Sequence, residues 1–220
     1  MSQEIQNFFK ENGYVVIRNF LTPEIARLMY EYSITKVQRE NYRYTYHRNT
    51  YHEDWDGKWG DTQTPNAYSA YADPLMESLL ILSKNSMEEF TGLTLLPQYS
   101  YWRFYQKHSD LKRHKDRNSC EISTTLCLGY DVSDVDQSVY PDYDWPMWVQ
   151  GKSGEEIPVH MKPGDMIIYR GCDLDHWREP FIGLNHAQIF MHYNDVNGPL
   201  KGSYDETKYD GRDTWGIPKL

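Results

Sequence analysis

Residues 162–181 read KPGDMIIYRGCDLDHWREPF. Pro163-Gly164-Asp165 is turn chemistry, because proline presets φ, glycine tolerates positive φ and aspartate bonds back to its own backbone. Met166 to Tyr169 is a short apolar, partly β-branched run that suits a buried strand. A polar loop then delivers His176, and Pro180 follows four residues later. Outward from this block the pattern repeats. Tyr99–Tyr105, Ile122–Tyr130, Met147–Gln150, Ile157–His160 and Ala187–Tyr193 are short, aromatic or β-branched, and Gly151, Gly154 and Gly183 separate them.

Upstream of Pro97 the period changes. A short amphipathic helix is expected from Gln3 to Glu11, stopped by Gly13, followed by a strand over Tyr14–Phe20. Thr22-Pro23-Glu24 gives an N-cap, a proline in the first turn and an acid beside the helix dipole. Ile25, Leu28, Met29 and Tyr32 then recur at helical spacing, so this helix should run to about Val37. Residues 40–72 lack a clear period and read as loops and short strands. Asp73-Pro74 opens a second long helix with Met76, Leu79, Leu80, Met87 and Phe90 on its apolar face, and Gly92 stops it. Helices followed by many short strands predict an α+β chain with a mainly β core, a jelly roll or sandwich buttressed by N-terminal helices. The expected organisation is one domain over 1–220. Residues 1–97 form a helical part with lid-like loops, 98–195 the β core, and 196–220 a polar tail.

The segment KRHKDRN, residues 112–118, carries His114 and Asp116. In extended chain, residues i and i+2 point to the same side, so an imidazole and a carboxylate are presented to one point. A divalent first-row metal would still lack a third ligand, and His176 is the best candidate. Two histidines and one carboxylate on one face leave three adjacent positions open, the facial arrangement of non-haem iron(II) oxygenases.

These blocks resemble the 2-oxoglutarate/iron(II)-dependent dioxygenase superfamily, most of all its prolyl-hydroxylase-like and phytanoyl-CoA-hydroxylase-like branches. Tyr99–Tyr130 is similar to the first metal-ligand block and Lys162–Tyr193 to the second. FFKENGYVVIRNFLTPEIARLM, residues 8–29, looks like the N-terminal strand and helix of such enzymes. The resemblance implies a double-stranded β-helix, cupin-like, with Fe(II) held by His114, Asp116 and His176. It further implies 2-oxoglutarate as cosubstrate and hydroxylation of a small-molecule or peptide substrate, with succinate and CO2 as co-products. Tyr105 stands nine residues before His114, where the prolyl-hydroxylase-like enzymes often place a tyrosine against the cosubstrate.

The chain departs from that pattern at one place. The family usually sets an Arg or Lys nine or ten residues after the second histidine, to pair with the distal carboxylate of 2-oxoglutarate. Here Asn185 and His186 occupy those positions. The replacement candidates are a protonated His186 with Gln188 beside it, Arg178 two residues after His176, and Arg103 on the strand before His114. A guanidinium suits the task because it grips a carboxylate with two parallel hydrogen bonds.

Composition narrows the remaining classes. The formal net charge of −9 argues against bulk attraction to nucleic acid or anionic membrane. No segment is apolar enough to span a bilayer, and the N-terminus lacks the pattern of a signal peptide. Cys120, Cys127 and Cys172 are odd in number and form no CxxC pair, which favours reduced thiols and a cytoplasmic location. The 19 Tyr and 7 Trp suit pleated, half-buried surfaces. Tyr42, Tyr44, Tyr46, Tyr51, Trp55 and Trp59, with Trp145 and Trp148, either pack around the barrel or wall a substrate pocket. Two other functions fit the same residues: a cupin-type metalloenzyme that does not use 2-oxoglutarate, and a non-catalytic, aromatic-rich binding module.

Overall fold

The computed structural model of the chain describes residues 2–200, so the expected polar tail lies outside the described residues from position 201 onward. The first helix, α1 (Ser2–Asn12), ends at Gly13, which takes φ +80, and strand β1 (Tyr14–Ile17) follows. β1 is shorter than the Tyr14–Phe20 run. Asn19 turns to φ 51, and the carboxylate of Asp165 holds the bend, accepting from the Asn19 N–H at 2.9 Å and pairing with Arg18 at 2.8 Å. The aspartate of the Pro-Gly-Asp turn thus ties two distant strand ends together.

Helix α2 (Pro23–Tyr46) begins where its cap predicts, with the Thr22 hydroxyl accepting from the Ile25 N–H. It runs well past Val37. The extension has no apolar period, and charge holds it instead. Glu40 is fully buried and accepts from Arg43 at 2.9 Å and from Arg39 Nε at 2.8 Å, while Arg43 also pairs with Asp56. Residues 40–72 are therefore more ordered than loops. They contain the end of α2, the short α3 (Glu53–Asp56), β2 (Lys58–Trp59) and β3 (Ala67–Tyr71). α4 (Pro74–Thr91) is capped by Asp73, which accepts from the Leu75 and Met76 N–H groups, and closes on left-handed Gly92.

The strands after it are β4 (Leu95–Gln106), β5 (Leu111–His114), β6 (Ile122–Asp131), β7 (Met147–Gln150), β8 (Glu156–Val159), β9 (Met166–Arg170), β10 (His176–Arg178) and β11 (Asn185–Asp195). Every pairing is antiparallel. A seven-stranded sheet has the order β1-β9-β6-β11-β4-β3-β2, and a four-stranded sheet the order β5-β10-β7-β8. The two sheets form the double-stranded β-helix.

Period-two alternation sorts the side chains of the larger sheet into two sets. Trp102, Phe104, Ala187, Ile189, Met191 and Tyr193 join Phe9, Met29, Met76 and Leu80 in the core between sheet and helices. This packing is close. A Cβ at Gly129 would lie 2.5 Å from the ring of Tyr30 on α2. The alternate residues, among them Tyr101, Arg103, Tyr105, His186, Gln188, Phe190 and His192, occupy the opposite face, toward the smaller sheet. Cys127, Met147, Val149, Ile167 and Tyr169 fill the apolar part between the sheets, and the polar remainder makes up the site.

Candidate metal centre

His114 ends β5 and His176 opens β10, and the two are directly opposed in the antiparallel register. Opposed residues on one face of a pair stand close, and their rings lie 4.3 Å apart. Asp116 follows two residues after His114, its backbone N–H donating to the Gly171 carbonyl at 2.8 Å. One atom from each of the three side chains falls within 4.8 Å of the others. Asp116 Oδ1 is 3.7 Å from His114 Nε2 and 3.5 Å from His176 Nε2.

The second atoms of these groups are engaged elsewhere. His114 Nδ1 lies 2.7 Å from the Lys112 carbonyl and His176 Nδ1 3.0 Å from the Leu174 carbonyl. A carbonyl only accepts, so both rings carry their proton on Nδ1 and turn the Nε2 lone pair inward. Asp116 Oδ2 accepts from the Ser123 hydroxyl at 2.8 Å, and Ser123 Oγ meets His192 Nδ1 at 2.9 Å. Burial alone would raise the Asp116 carboxyl, but His176, His192 and Ser123 outweigh it and hold the group well below the usual carboxylate range. Burial, then the neighbouring His176, lowers the pKa of His114. The centre therefore offers two imidazole Nε2 atoms and one carboxylate oxygen, and the lowered pKa of His114 favours the neutral form in which a ring can ligate.

Gly171 makes room for this arrangement. A Cβ there would lie 2.3 Å from Asp116 Oδ2 and 2.4 Å from the Cys120 carbonyl. Sequence reasoning passed over Gly171, Ser123 and His192. A glycine between an apolar strand and the ligand histidine was the available signal for the first. Ser123 and His192 depend on strand pairing and leave no local mark.

A cavity of about 430 Å³ opens in front of the triad. Tyr99, Tyr101, Arg103 and Phe190 line it from the larger sheet, and Asp61, Thr62 and Gln63 reach over it from the β2–β3 loop. Arg103 Nη2 donates to Asp61 at 2.6 Å and to Gln63 Oε1 at 2.8 Å. None of Tyr42, Tyr44, Tyr46, Tyr51, Trp55 and Trp59 lines this cavity. Trp145 is buried deeper, and Trp148 stacks on Trp177 in the smaller sheet.

Behind the triad, Arg178, Gln188, Tyr105 and His186 are all buried. Arg178 Nη2 donates to Gln188 Oε1 at 2.8 Å, Gln188 Nε2 donates to the Tyr105 hydroxyl at 3.0 Å, and Arg178 Nη1 donates to the Trp145 carbonyl. The guanidinium lies 4.6 Å from the Trp145 ring centre, its Nε has no partner, and no described carboxylate comes within ion-pair distance. His186 stacks on Tyr130 at 5.4 Å. Burial, then Arg178, pushes its pKa well below the ordinary imidazole value, which disfavours a charged ring in the ligand-free protein. These side chains are thus gathered around one interior.

No family model matches the sequence, and no curated protein matches it. Solved structures do match. The carbocyclase SnoK of nogalamycin biosynthesis, described as a non-haem α-ketoglutarate-dependent enzyme, has a TM-score of 0.67 at 13% identity, covering 89% of this chain and 85% of its own. A prolyl-4-hydroxylase from Pseudomonas putida gives 0.64 at 13% identity, with 89% and 99% covered. HygX from Streptomyces hygroscopicus, solved with nickel and 2-oxoglutarate bound, gives 0.62 at 12% identity, with 90% and 88% covered. At such identities the likeness establishes the fold, which is that of 2-oxoglutarate/iron(II) oxygenases. Among the described residues, no helix is long and apolar enough to cross a membrane.

Proposed function

We propose that the protein is an iron(II) oxygenase that takes 2-oxoglutarate as cosubstrate and hydroxylates a small-molecule or peptide substrate, releasing succinate and CO2. The observation that carries this reading is the convergence of His114, Asp116 and His176 within 4.8 Å. The donor set fits the metal: two Nε2 lone pairs and one carboxylate oxygen, each with its other atom anchored, suit a divalent first-row ion bound on one face. HygX, which shares the fold, holds nickel and 2-oxoglutarate. Bound iron would supply the dioxygen chemistry that hydroxylation of an unactivated carbon needs.

The chain's own residues do the rest. Lys112 and Leu174 carbonyls fix the two imidazoles, and Ser123 fixes Asp116 so that Oδ1 is free to ligate. Arg178 is the residue we assign to the distal carboxylate of 2-oxoglutarate, with Gln188 and Tyr105 completing the seat. It stands two residues from His176, roughly 6–7 Å along an extended strand. That is about the reach of a five-carbon dicarboxylate anchored at the metal. A guanidinium out of water without an anion costs several kcal/mol, and an incoming carboxylate offsets that cost. Arg103, by contrast, already faces Asp61. The apolar walls around Arg178 exclude water and strengthen that pairing.

The test is formation of succinate from 2-oxoglutarate by the intact chain with iron(II) and ascorbate, with nickel affinity measured alongside. We expect succinate formation in the unmodified protein, and loss of both signals in His176→Ala and Asp116→Ala. Nickel binding without any 2-oxoglutarate binding or turnover would move the assignment to a cupin-type metalloenzyme. Nickel affinity unchanged by either substitution would sink the metal centre itself.

A further inference from the structure

We propose that Arg103 seats a carboxylate of the prime substrate, so that the substrate is a small organic acid; this rests on the oxygenase reading above. Arg103 lies on β4 opposite Gln188 of β11, is 4% exposed and lines the cavity that holds the triad. Its Nη2 is fully engaged by Asp61 and Gln63. Its Nε is buried without a partner, and Nη1 makes no hydrogen bond. A guanidinium has five N–H donors, and buried donors are almost always satisfied. The two Nη1 donors of a fixed cation are therefore left for a ligand in the cavity, and the buried Nε adds a third donor that no described residue answers.

Asp61 does not compete for that ligand. Its Oδ2 takes Arg103 and the Tyr101 hydroxyl, the latter at 3.0 Å, and its Oδ1 takes the Gln63 and Thr64 N–H groups at 2.9 and 2.7 Å. Asp61 is a saturated anchor that fixes where the guanidinium sits. The Tyr101 and Phe190 rings, 5.1 and 5.7 Å from the Arg103 carbon, hold its flanks.

Charge and size set the class of ligand. The chain carries a net −9, yet with Asp116 assigned to the metal the charged lining of the cavity among the described residues is Arg103, Lys115 and Arg117 against Asp61. This local inversion selects an anion. One guanidinium already half-compensated by Asp61 suits a single carboxylate better than a dianionic phosphate. The aromatic wall of Tyr99, Tyr101 and Phe190 suits a carbon skeleton, and about 430 Å³ shared with the cosubstrate leaves room for a small molecule. The second carboxylate of 2-oxoglutarate is not the ligand of Arg103, because Arg178 is the buried cation that lacks one.

The experiment uses the full chain loaded with nickel(II) and 2-oxoglutarate, which cannot turn over. A panel of free amino acids, hydroxy acids and aromatic acids, each paired with its primary amide, is screened by thermal shift and then by calorimetry. We expect at least one acid to bind, its amide to bind at least about tenfold more weakly, and Arg103→Gln to lose the acid by a similar factor. The 2-oxoglutarate affinity of Arg103→Gln should stay within about threefold of the unmodified protein. Should Arg103→Gln unfold because Asp61 loses its partner, the Asp61→Asn/Arg103→Gln double variant removes both charges and repeats the test. No acid preferred over its amide, an acid held equally well without Arg103, or loss of 2-oxoglutarate in place of the acid would each overturn the inference alone. Failure of the unmodified chain to bind 2-oxoglutarate would overturn the oxygenase reading and this inference with it.

Discussion

The mouth and the floor of the barrel interior each hold a buried arginine, and the two are compensated differently. At the mouth, Arg103 meets Asp61 at 2.6 Å with Gln63 beside it. At the floor, Arg178 meets, among the described residues, the neutral oxygens of Gln188 and Trp145 and a ring face. A buried ion pair holds structure together when its hydrogen bonds are complete, whereas a lone buried cation weakens the apo fold. Such a cation persists where a ligand brings the missing charge, and the strain it stores is returned on binding. On the proposed function, the difference makes the mouth architecture with donors to spare and the floor the seat of an anion that comes and goes.

The strongest way to break this comparison is to remove each charge in turn. Arg178→Met should lower 2-oxoglutarate affinity of the nickel form by about 100-fold or more, roughly 3 kcal/mol. The same change should leave the ligand-free protein as stable as before or more stable, by about 1–3 kcal/mol, because an uncompensated charge leaves a dry site. Arg103→Met should do the reverse. It strands the Asp61 carboxylate and should lower stability by about 3 kcal/mol in denaturant unfolding. If both variants lose stability alike, the two arginines are equivalent and the contrast is gone.

Acid sharpens the same contrast. Burial would raise the Asp61 carboxyl, but Arg103, the Thr64 N–H and the Tyr101 hydroxyl outweigh it, so its pKa lies below the ordinary value. A carboxyl depressed by folding stabilises fully above its unfolded pKa, near 4, and loses that contribution as pH falls through the folded value. Melting temperature measured from pH 6 to pH 3 should therefore fall in the unmodified protein and in Arg178→Met. In Arg103→Met the Asp61 part of that fall should flatten or reverse.

How much of this was legible depends on whether the cause is local. The caps at Thr22 and Asp73, the stop at Gly92 and the strand Met166–Arg170 are written in adjacent residues, and each appears where its chemistry puts it. His114, Asp116 and His176 could be picked out because extended spacing and the Pro-Gly-Asp turn bracket them. The second half of α2 was hidden, because a buried glutamate between two arginines holds it and no apolar stripe marks it. The compensation states of Arg103 and Arg178 were hidden too. Asp61 and Gln188 stand 42 and 10 residues away from their arginines, and only sheet register decides which meets which.

A smaller effect concerns the metal end, where neither arginine takes part. Gly171→Ala places a methyl within 2.3 Å of Asp116 Oδ2, so the carboxylate must shift. Overpacking of this kind costs about 1–3 kcal/mol. Nickel affinity should fall by about tenfold or more, while the stability contrast between Arg103→Met and Arg178→Met persists in the Gly171→Ala background. Loss of that contrast would mean that the metal end and the arginines are one coupled unit.

The smallest expected effect lies one atom further out. Ser123 Oγ is 2.8 Å from Asp116 Oδ2, 2.9 Å from His192 Nδ1 and 3.0 Å from the Cys120 carbonyl, yet it carries a single proton. The charged Asp116 oxygen is the stronger acceptor and takes that proton, so His192 must donate from Nδ1 to the serine oxygen. The chain His192–Ser123–Asp116 is then a one-way series of hydrogen bonds that ends on Asp116 and leaves Oδ1 facing His114 and His176. Ser123→Ala should break it, lowering nickel affinity by about tenfold, near 1.4 kcal/mol. Ser123→Thr, which keeps the hydroxyl, should restore much of it. Calorimetry that finds Ala and Thr alike would show that Asp116 needs no such support, and that the backbone bond to Gly171 suffices to place it.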